Sequence, residues 1–256
     1  MERGTRIAVA GATGRVGRHV VDVLEADGHD VVPIARSHGV DVVTGDGLDE
    51  ALAGAERVVD AATGSSPDQG EATAFFTAAA GNLQEAGERA GVGEIVVVSI
   101  IGIDRLSAGY SAAKVAHERA MLAGPVAVRI VRAAQFHELV EQVVEWGRQG
   151  EVSYVPGMRT QPVAARAVAE VLAEVATGPL PGSGGAPMIE VAGPREERMA
   201  ELAALLTSRR GDPVRIEEAS DPGDPDSDLY QAGAMLPGPG AVLAGPTFEE
   251  WLDATP

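Results

Sequence analysis

The chain has 256 residues, 45% of them apolar, and its 38 acidic against 20 basic residues leave a formal charge of −18. That length suffices to bury a full α/β core, as one large domain or a domain with a small appendage, while so negative a surface repels phosphate backbones and argues against duplex DNA as a partner. Cysteine is absent, which excludes disulfides, thiolate catalysis and cysteine metal sites, so any redox chemistry needs a bound cofactor.

Taken in chain order, the first pattern is an apolar strand over 6–10 followed by Gly11-Ala12-Thr13-Gly14-Arg15-Val16-Gly17 and an amphipathic helix over 15–27, with Val16, Val20, Val23 and Leu24 at helical spacing. A strand, a glycine turn and a helix N-terminus together make an anion site: bare backbone approaches a pyrophosphate, and unpaired N–H groups face it. The spacing is Gly-x-x-Gly-x-x-Gly. The first glycine turns the chain, the second admits phosphates and the third permits close helix–strand packing. Gly11, Thr13, Gly14, Arg15, Val16 and Gly17 are therefore the first cofactor candidates, and a dinucleotide is the natural ligand.

Strands are then expected over 31–35, 40–43 and 57–61, with a short helix over 48–53. Gly64-Ser65-Ser66-Pro67 punctuates the chain before a long Ala-rich helix over 69–90. A buried strand over 94–99 leads through a loop to a helix over 110–122, a strand over 126–131 and a helix over 136–148. Such alternation predicts a doubly wound α/β fold with a parallel sheet. Beyond residue 150 it loosens, with strands near 152–155 and 188–191 and helices near 165–176 and 195–208. The segments 179–187 and 220–228 read as polar surface loops. The Gly/Pro-rich stretch 236–246 reads as a packed connection, because Phe248, Trp251 and Leu252 follow it and need burial. No run of about 18 apolar residues offers a membrane span, and Met1–Arg6 lead straight into the first strand, leaving no room for a signal peptide. The expectation is a soluble, cytoplasmic protein with no membrane partner.

The end of the second strand discriminates between coenzymes: an acid there bonds the ribose 2′-hydroxyl of NAD, a basic residue the 2′-phosphate of NADP. It reads Ile34-Ala35-Arg36-Ser37, with no acid and with a guanidinium suited to phosphate, which favours NADP(H) over NAD(H). Asp46 is placed either to face the adenine or to cap the helix that follows. Ala61, Ala62 and Thr63 close the next strand with side chains small enough to admit a coenzyme ribose.

Tyr110 and Lys114 stand one helical turn apart on one face. A cation beside a phenol favours tyrosinate, so the tyrosine can act as acid or base toward a carbonyl or carbinol, and the lysine can hold the nicotinamide ribose. The pair opens a helix directly after a buried strand ending at Ser99, where a doubly wound sheet presents its ligand crevice. Five histidines, His19, His29, His38, His117 and His137, are scattered without ligand spacing and are expected as exposed or helix-surface imidazoles; no metal is expected.

These residues resemble atypical short-chain dehydrogenases/reductases, in particular the NmrA-like NAD(P)-binding branch. The resemblance rests on Gly11 to Gly17, on Val96 to Asp104, on the Tyr110/Lys114 helix, on Val131 to His137 and on Gln161-Pro162-Val163. It implies a Rossmann-type NAD(P)-binding domain over 1–150 and a smaller C-terminal portion over 151–256, packed as one unit and shaping a substrate pocket. It also implies Tyr110 as the catalytic tyrosine, Lys114 as its lysine and Ser99 as the candidate serine. Ile100, Ile101 and Gly102 occupy positions where related enzymes often place the polarising hydroxyl, so Ser107 or water is an alternative source. Gln135, Phe136, His137, Tyr154 and Met158 are the substrate-side candidates; Arg159 either meets an anionic substrate group or is an ordinary loop arginine. The implied activity is NADP(H)-dependent hydride transfer to or from a small carbonyl, quinone or conjugated substrate. Two alternatives carry the same motifs: a non-catalytic NADP(H) sensor acting through a protein partner, and a sugar-nucleotide epimerase or dehydratase.

Overall fold

The computed structural model describes residues 4–180, 188–221 and 223–254. In chain order the elements are β1 (Arg6–Ala10), α1 (Gly17–Ala26), β2 (Asp30–Ile34), α2 (Leu48–Leu52), β3 (Arg57–Asp60), α3 (Gln69–Ala90), β4 (Glu94–Ile100), α4 (Gly109–Leu122), β5 (Val128–Ala133), α5 (Leu139–Trp146), β6 (Arg148–Gln149), β7 (Val152–Pro156), β8 (Arg159–Thr160), α6 (Ala165–Thr177), β9 (Met188–Ala192), β10 (Glu197–Arg198), α7 (Met199–Arg210), β11 (Arg215–Ala219), α8 (Ser227–Ala232), β12 (Val242–Leu243) and α9 (Phe248–Ala254). They fall into two compact units that alternate along the chain: one of Met1–Ser99, Gly109–Arg132 and Val168–Ile189, the other of Ile100–Ala108, Ala133–Ala167 and Glu190–Pro256. Among the described residues no helix is long and apolar enough to cross a membrane.

In the first unit the strand order is β9-β5-β4-β3-β1-β2, β9 entering through Met188 and Ile189. The pairings of β1 with β2, β1 with β3 and β3 with β4 are parallel. Side chains alternate across the sheet. Ala8, Ala10, Val58, Ile95 and Val97 join Leu48 and Leu52 of α2, Ala79, Ala80 and Leu83 of α3, and Met121 of α4 in one buried cluster. The intervening Ile7, Val9, Val59 and Val96, also buried, therefore point to the opposite face, and α1 packs on β1 and β2. Helices on both faces make the fold doubly wound, as the alternation of patterns predicts. Pro33 lies in β2, opposite Val9; β2 ends the sheet, the place where a strand tolerates a residue without an N–H.

The chain leaves β1 toward β2 on one side and returns to β3 on the other, so the switch in strand order falls between β1 and β3. That is where an open α/β sheet binds its ligands, beyond the carboxyl ends of the strands.

The segment 40–43 is not a strand. The Asp41 carboxylate accepts from the Val43 N–H at 2.7 Å, and the Asn82 amide of α3 donates to the carbonyls of Val42 and Val43 at 2.9 and 2.8 Å. With its polar backbone groups satisfied locally and by a helix side chain, this apolar run has no need of a sheet partner. α3, by contrast, spans the expected 69–90; Asp68 caps it by accepting from the Glu71 N–H at 3.0 Å.

In the second unit β7 pairs parallel with β11 and antiparallel with β6, β8 pairs with β10, and the end of β9 pairs with β12. Val140, Val143 and Val144 of α5, Met199, Leu202 and Leu206 of α7, and Phe248 of α9 form its core, with Trp251 and Leu252 packed against them. The chain's end thus docks, as its apolar residues require. β11, α8 and β12 lie where the sequence offers only loops. Within 220–228 Asp226 is buried, accepting from the N–H groups of Ser107 and Ala108 and from the Ser107 hydroxyl; that stretch is not simply a surface loop. The loop expected over 179–187 lies outside the described residues from 181 onward.

Candidate functional site

At the end of β1 the chain turns at Gly11, which has φ +74 and donates its N–H to the Ile34 carbonyl at 3.0 Å. A β-carbon at Gly11 would lie 2.6 Å from the Ala61 carbonyl, and one at Gly17 would lie 2.1 Å from the Gly11 carbonyl. The first and third glycines therefore let the ends of β1 and β3 and the start of α1 meet backbone to backbone. Helix α1 has no side-chain cap. Among the described residues the backbone N–H groups of Thr13, Val16 and Gly17 have no acceptor. Open donors at the positive end of a ten-residue helix fit a pyrophosphate.

Around that turn stand the other cofactor candidates of this unit. Arg36 and Ser37 begin a 3-10 turn directly after β2, both exposed, and the Arg36 side chain has no ion-pair or hydrogen-bond partner among the described residues. Asp46 is exposed on the turn before α2, and Gly47, not Asp46, is the residue that immediately precedes the helix. Ala61, Ala62 and Thr63 follow β3, with Thr63 exposed.

The chemistry candidates lie on α4 and at the ends of β3 and β4. The Tyr110 phenol shares a hydrogen bond of 2.8 Å with the Thr63 hydroxyl. Burial raises the phenol's pKa, partly opposed by that bond, so Tyr110 is protonated at neutral pH. The tyrosinate expected from a neighbouring lysine is not formed, because the Lys114 ammonium is engaged elsewhere: it donates to the Val98 carbonyl at 2.7 Å and meets His117 Nδ1 at 2.9 Å. Ser99, at the end of β4, is buried with its hydroxyl unpartnered among the described residues. Ser107 gives its hydroxyl to Asp226.

His117 and His137 are each only 1% exposed, which corrects the expectation of surface imidazoles. His117 Nε2 lies 3.0 Å from Asp60 Oδ2, the last residue of β3, and its ring stacks on Phe76 with centroids 4.7 Å apart. Periodicity carried a signal for it: Tyr110, Lys114 and His117 stand at i, i+4 and i+7 on one helix face. Composition carried another, since Lys114 is the only lysine among the 20 basic residues. Burial lowers its pKa to about 8, against the opposing pull of Asp60 and Glu118.

The substrate-side candidates belong to the second unit. Gln135 is buried and accepts from the Thr160 hydroxyl. Phe136 is half-buried and forms a bridge to Val163. His137 is enclosed by Phe248 and Trp251, with Nε2 3.1 Å from the Pro246 carbonyl; burial lowers its pKa. Met158 packs on the core of this unit, whereas Tyr154 is exposed. Arg159 pairs with Glu196 at 2.6 Å.

A family model described as NAD(P)H-binding matches residues 11–179. No curated protein matches the chain in sequence. Among solved structures the chain is similar to MoeE5 in complex with UDP-glucose and NAD, at 17% identity and TM-score 0.71, over 98% of this chain and 96% of that one. It is similar to UDP-N-acetylglucosamine 4-epimerase from Bacillus cereus, at 17% identity and TM-score 0.70, over 98% and 95% of the two chains. A short-chain dehydrogenase/reductase superfamily protein from Agrobacterium tumefaciens with bound NAD is similar at 19% identity and TM-score 0.66, over 97% and 95%. At these identities the likeness is one of fold.

Proposed function

Because the chain belongs to the NAD(P)H-binding family, we propose that it is an NADP(H)-dependent oxidoreductase that reduces a small carbonyl, quinone or conjugated substrate. The observation that carries this reading is the Tyr110 phenol 2.8 Å from the Thr63 hydroxyl just past the end of β3, beside the strand whose glycine turn offers open N–H groups. The Gly11–Gly17 turn would hold the pyrophosphate of NADPH and Arg36 its 2′-phosphate, and the coenzyme, when bound, would supply a hydride. Tyr110 gives its proton to the substrate oxygen as the hydride reaches carbon, so a carbonyl becomes a carbinol, and the phenolate recovers a proton from solvent. Thr63 orients the phenol, and Lys114 holds the nicotinamide ribose.

The test is NADPH oxidation across a panel of ketones, aldehydes and quinones. Tyr110→Phe should lower turnover by about 10²–10⁴-fold while NADPH still binds in calorimetry. Unchanged turnover would remove Tyr110 from the mechanism. Unequal binding of NADP+ and NADPH with no turnover across the panel would instead identify a sensor. The nucleotide-sugar ligand and epimerase named for the similar folds favour a second reading, a sugar-nucleotide enzyme that keeps its coenzyme through the cycle; epimerisation of UDP-glucose without net coenzyme oxidation would establish it.

A further inference from the structure

Lys114 is the only lysine in a chain that otherwise uses arginine for every basic residue, and it is 5% exposed. An arginine cannot lose its proton and cannot present a compact ammonium, so the one position where lysine stands invites a functional account. Val98 of β4 offers a carbonyl at 2.7 Å, His117 offers Nδ1 at 2.9 Å, and the Phe76 ring of α3 lies 4.5 Å from Nζ. Asp60 of β3 approaches His117 Nε2 at 3.0 Å, and its other oxygen accepts from the Ala62 N–H at 3.1 Å. Glu118 is the other charge that acts on the ammonium, and Arg132 of β5 pairs with it at 2.8 Å.

With Lys114 as the ammonium, one assignment of protons pairs a donor with an acceptor at every one of these contacts. An ammonium donating to Nδ1 requires that nitrogen to be bare, which puts the imidazole proton on Nε2, facing the Asp60 carboxylate. Imidazolium would turn an N–H against the ammonium. The opposite neutral tautomer would do the same and would also set a lone pair against the carboxylate. With Lys114 charged, His117 is therefore neutral, and its lowered pKa, dominated by burial and then by Lys114, agrees. Along this line of contacts an ammonium and a carboxylate are joined through a neutral ring, beside the buried Glu118–Arg132 pair. The Nε2–Oδ2 approach is close without the alignment of a full hydrogen bond, so its contribution is chiefly electrostatic.

We infer that Asp60 and His117 are positioning residues for Lys114: the carboxylate sets the imidazole tautomer, the imidazole and the Val98 carbonyl take two of the three ammonium protons, and the third is kept for a coenzyme ribose hydroxyl. This rests on the coenzyme reading above, which names Lys114 as the ribose ligand and gives no role to Asp60 or His117. The same carboxylate holds the Ala62 N–H, one residue before the Thr63 that meets Tyr110. Asp60 thus ties the lysine and the tyrosine partner to one strand end. A purely structural ion pair would not require a particular tautomer, nor would it couple to coenzyme affinity.

A single lysine makes the test direct, because protein labelled with 13C-lysine and 15N-histidine gives one lysine side-chain signal. In the wild type His117 should show the neutral Nε2–H tautomer, the lysine signal should titrate at about 8, and NADPH affinity should weaken through the same range. Asp60→Asn keeps an acceptor for Ala62 but presents an amide N–H to Nε2, so the tautomer should invert. The lysine titration and the alkaline loss of NADPH affinity should then both move down by about one pH unit or more. An Nδ1–H tautomer in the wild type, read without any variant, overturns the inference; so does an Asp60→Asn protein whose lysine titration and NADPH profile stay in place. If NADPH does not bind the wild type at all, the coenzyme reading fails, while tautomer and lysine titration in the free protein still decide whether Asp60 and His117 position the ammonium.

Discussion

β3 and β4 are neighbours in one parallel sheet, yet their carboxyl ends serve helix α4 by different means. β3 ends in side chains that work: Asp60 reaches His117, and three residues on Thr63 meets Tyr110. Near the end of β4 stands Ser99, whose hydroxyl has no partner among the described residues, and the β4 group that holds the helix is a backbone carbonyl, that of Val98. The polar face of α4 is therefore held by side chains from one strand and by backbone from the other. The hydroxyl that touches the phenol is found by geometry, on the strand the tyrosine motif does not follow.

The comparison extends to β1, whose exit uses backbone alone, and there the largest effects are expected. Gly17→Ala forces a β-carbon to within 2.1 Å of a carbonyl oxygen, so α1 must shift; a cost of about 1–3 kcal/mol is expected, together with NADPH affinity too weak to measure. Gly14→Ala meets only one backbone atom, at 3.1 Å, and should lose coenzyme affinity with a smaller change in Tm. Equal losses of Tm in the two variants would mean that Gly14 is a packing residue and not a phosphate neighbour.

At the exit of β2, Arg36→Ala should weaken NADPH by about 10–100-fold, the worth of a charge-assisted hydrogen bond, and leave NADH unchanged. A preference for NADH in the wild type would reverse the assignment of Arg36. The contrast between β3 and β4 is sharpened by Thr63→Val and Ser99→Ala. The first should lower kcat by about 2–10-fold, as expected for one lost hydrogen bond. The second removes a buried unpaired hydroxyl and should leave kcat intact with Tm equal or higher. If Ser99→Ala is the more damaging of the two, β4 supplies the working hydroxyl and the comparison breaks.

The smallest effect concerns the second buried histidine. Burial is the leading cause of the lowered pKa of both buried histidines; His117 lies between Lys114 and Asp60, whereas His137 sits among the Phe248 and Trp251 rings. Its folded pKa lies below the unfolded value, so as pH falls below about 6.5 the unfolded chain takes up a proton first and stability declines. A wild-type Tm falling more steeply between pH 7 and 5 than that of His137→Phe, by about 2–4 °C, is expected; parallel curves would mean that the ring titrates as it does in the unfolded chain.

Much of this was legible along the chain because the signals are local. The glycine turn, the 3.6-residue spacing of α1 and the Gly64–Pro67 punctuation ahead of α3 each involve residues a few positions apart. The run 40–43 has the apolar residues of a strand, but Asn82, some forty residues on, takes the carbonyls a strand would use. β11 and β12 carry little local signal: β11 has only Ile216 and Ala219 as apolar residues and β12 has two residues in all. His117 shares a face with Tyr110 and Lys114, but the buried carboxylate that pairs with it, Asp60, lies more than fifty residues away along the chain.

From its amino acids alone this chain specifies a doubly wound sheet, a glycine turn fit for pyrophosphate and a tyrosine and lysine on one helical turn, because periodicity, turn chemistry and helix spacing act between near neighbours. Folding alone decided which hydroxyl meets Tyr110, that Lys114 turns to His117 and Val98, and that Asp60 stands behind them. Those contacts join strand ends to a helix across the parallel sheet, and hydrogen bonds and buried charges depend on distance in space, which spacing along the chain does not encode.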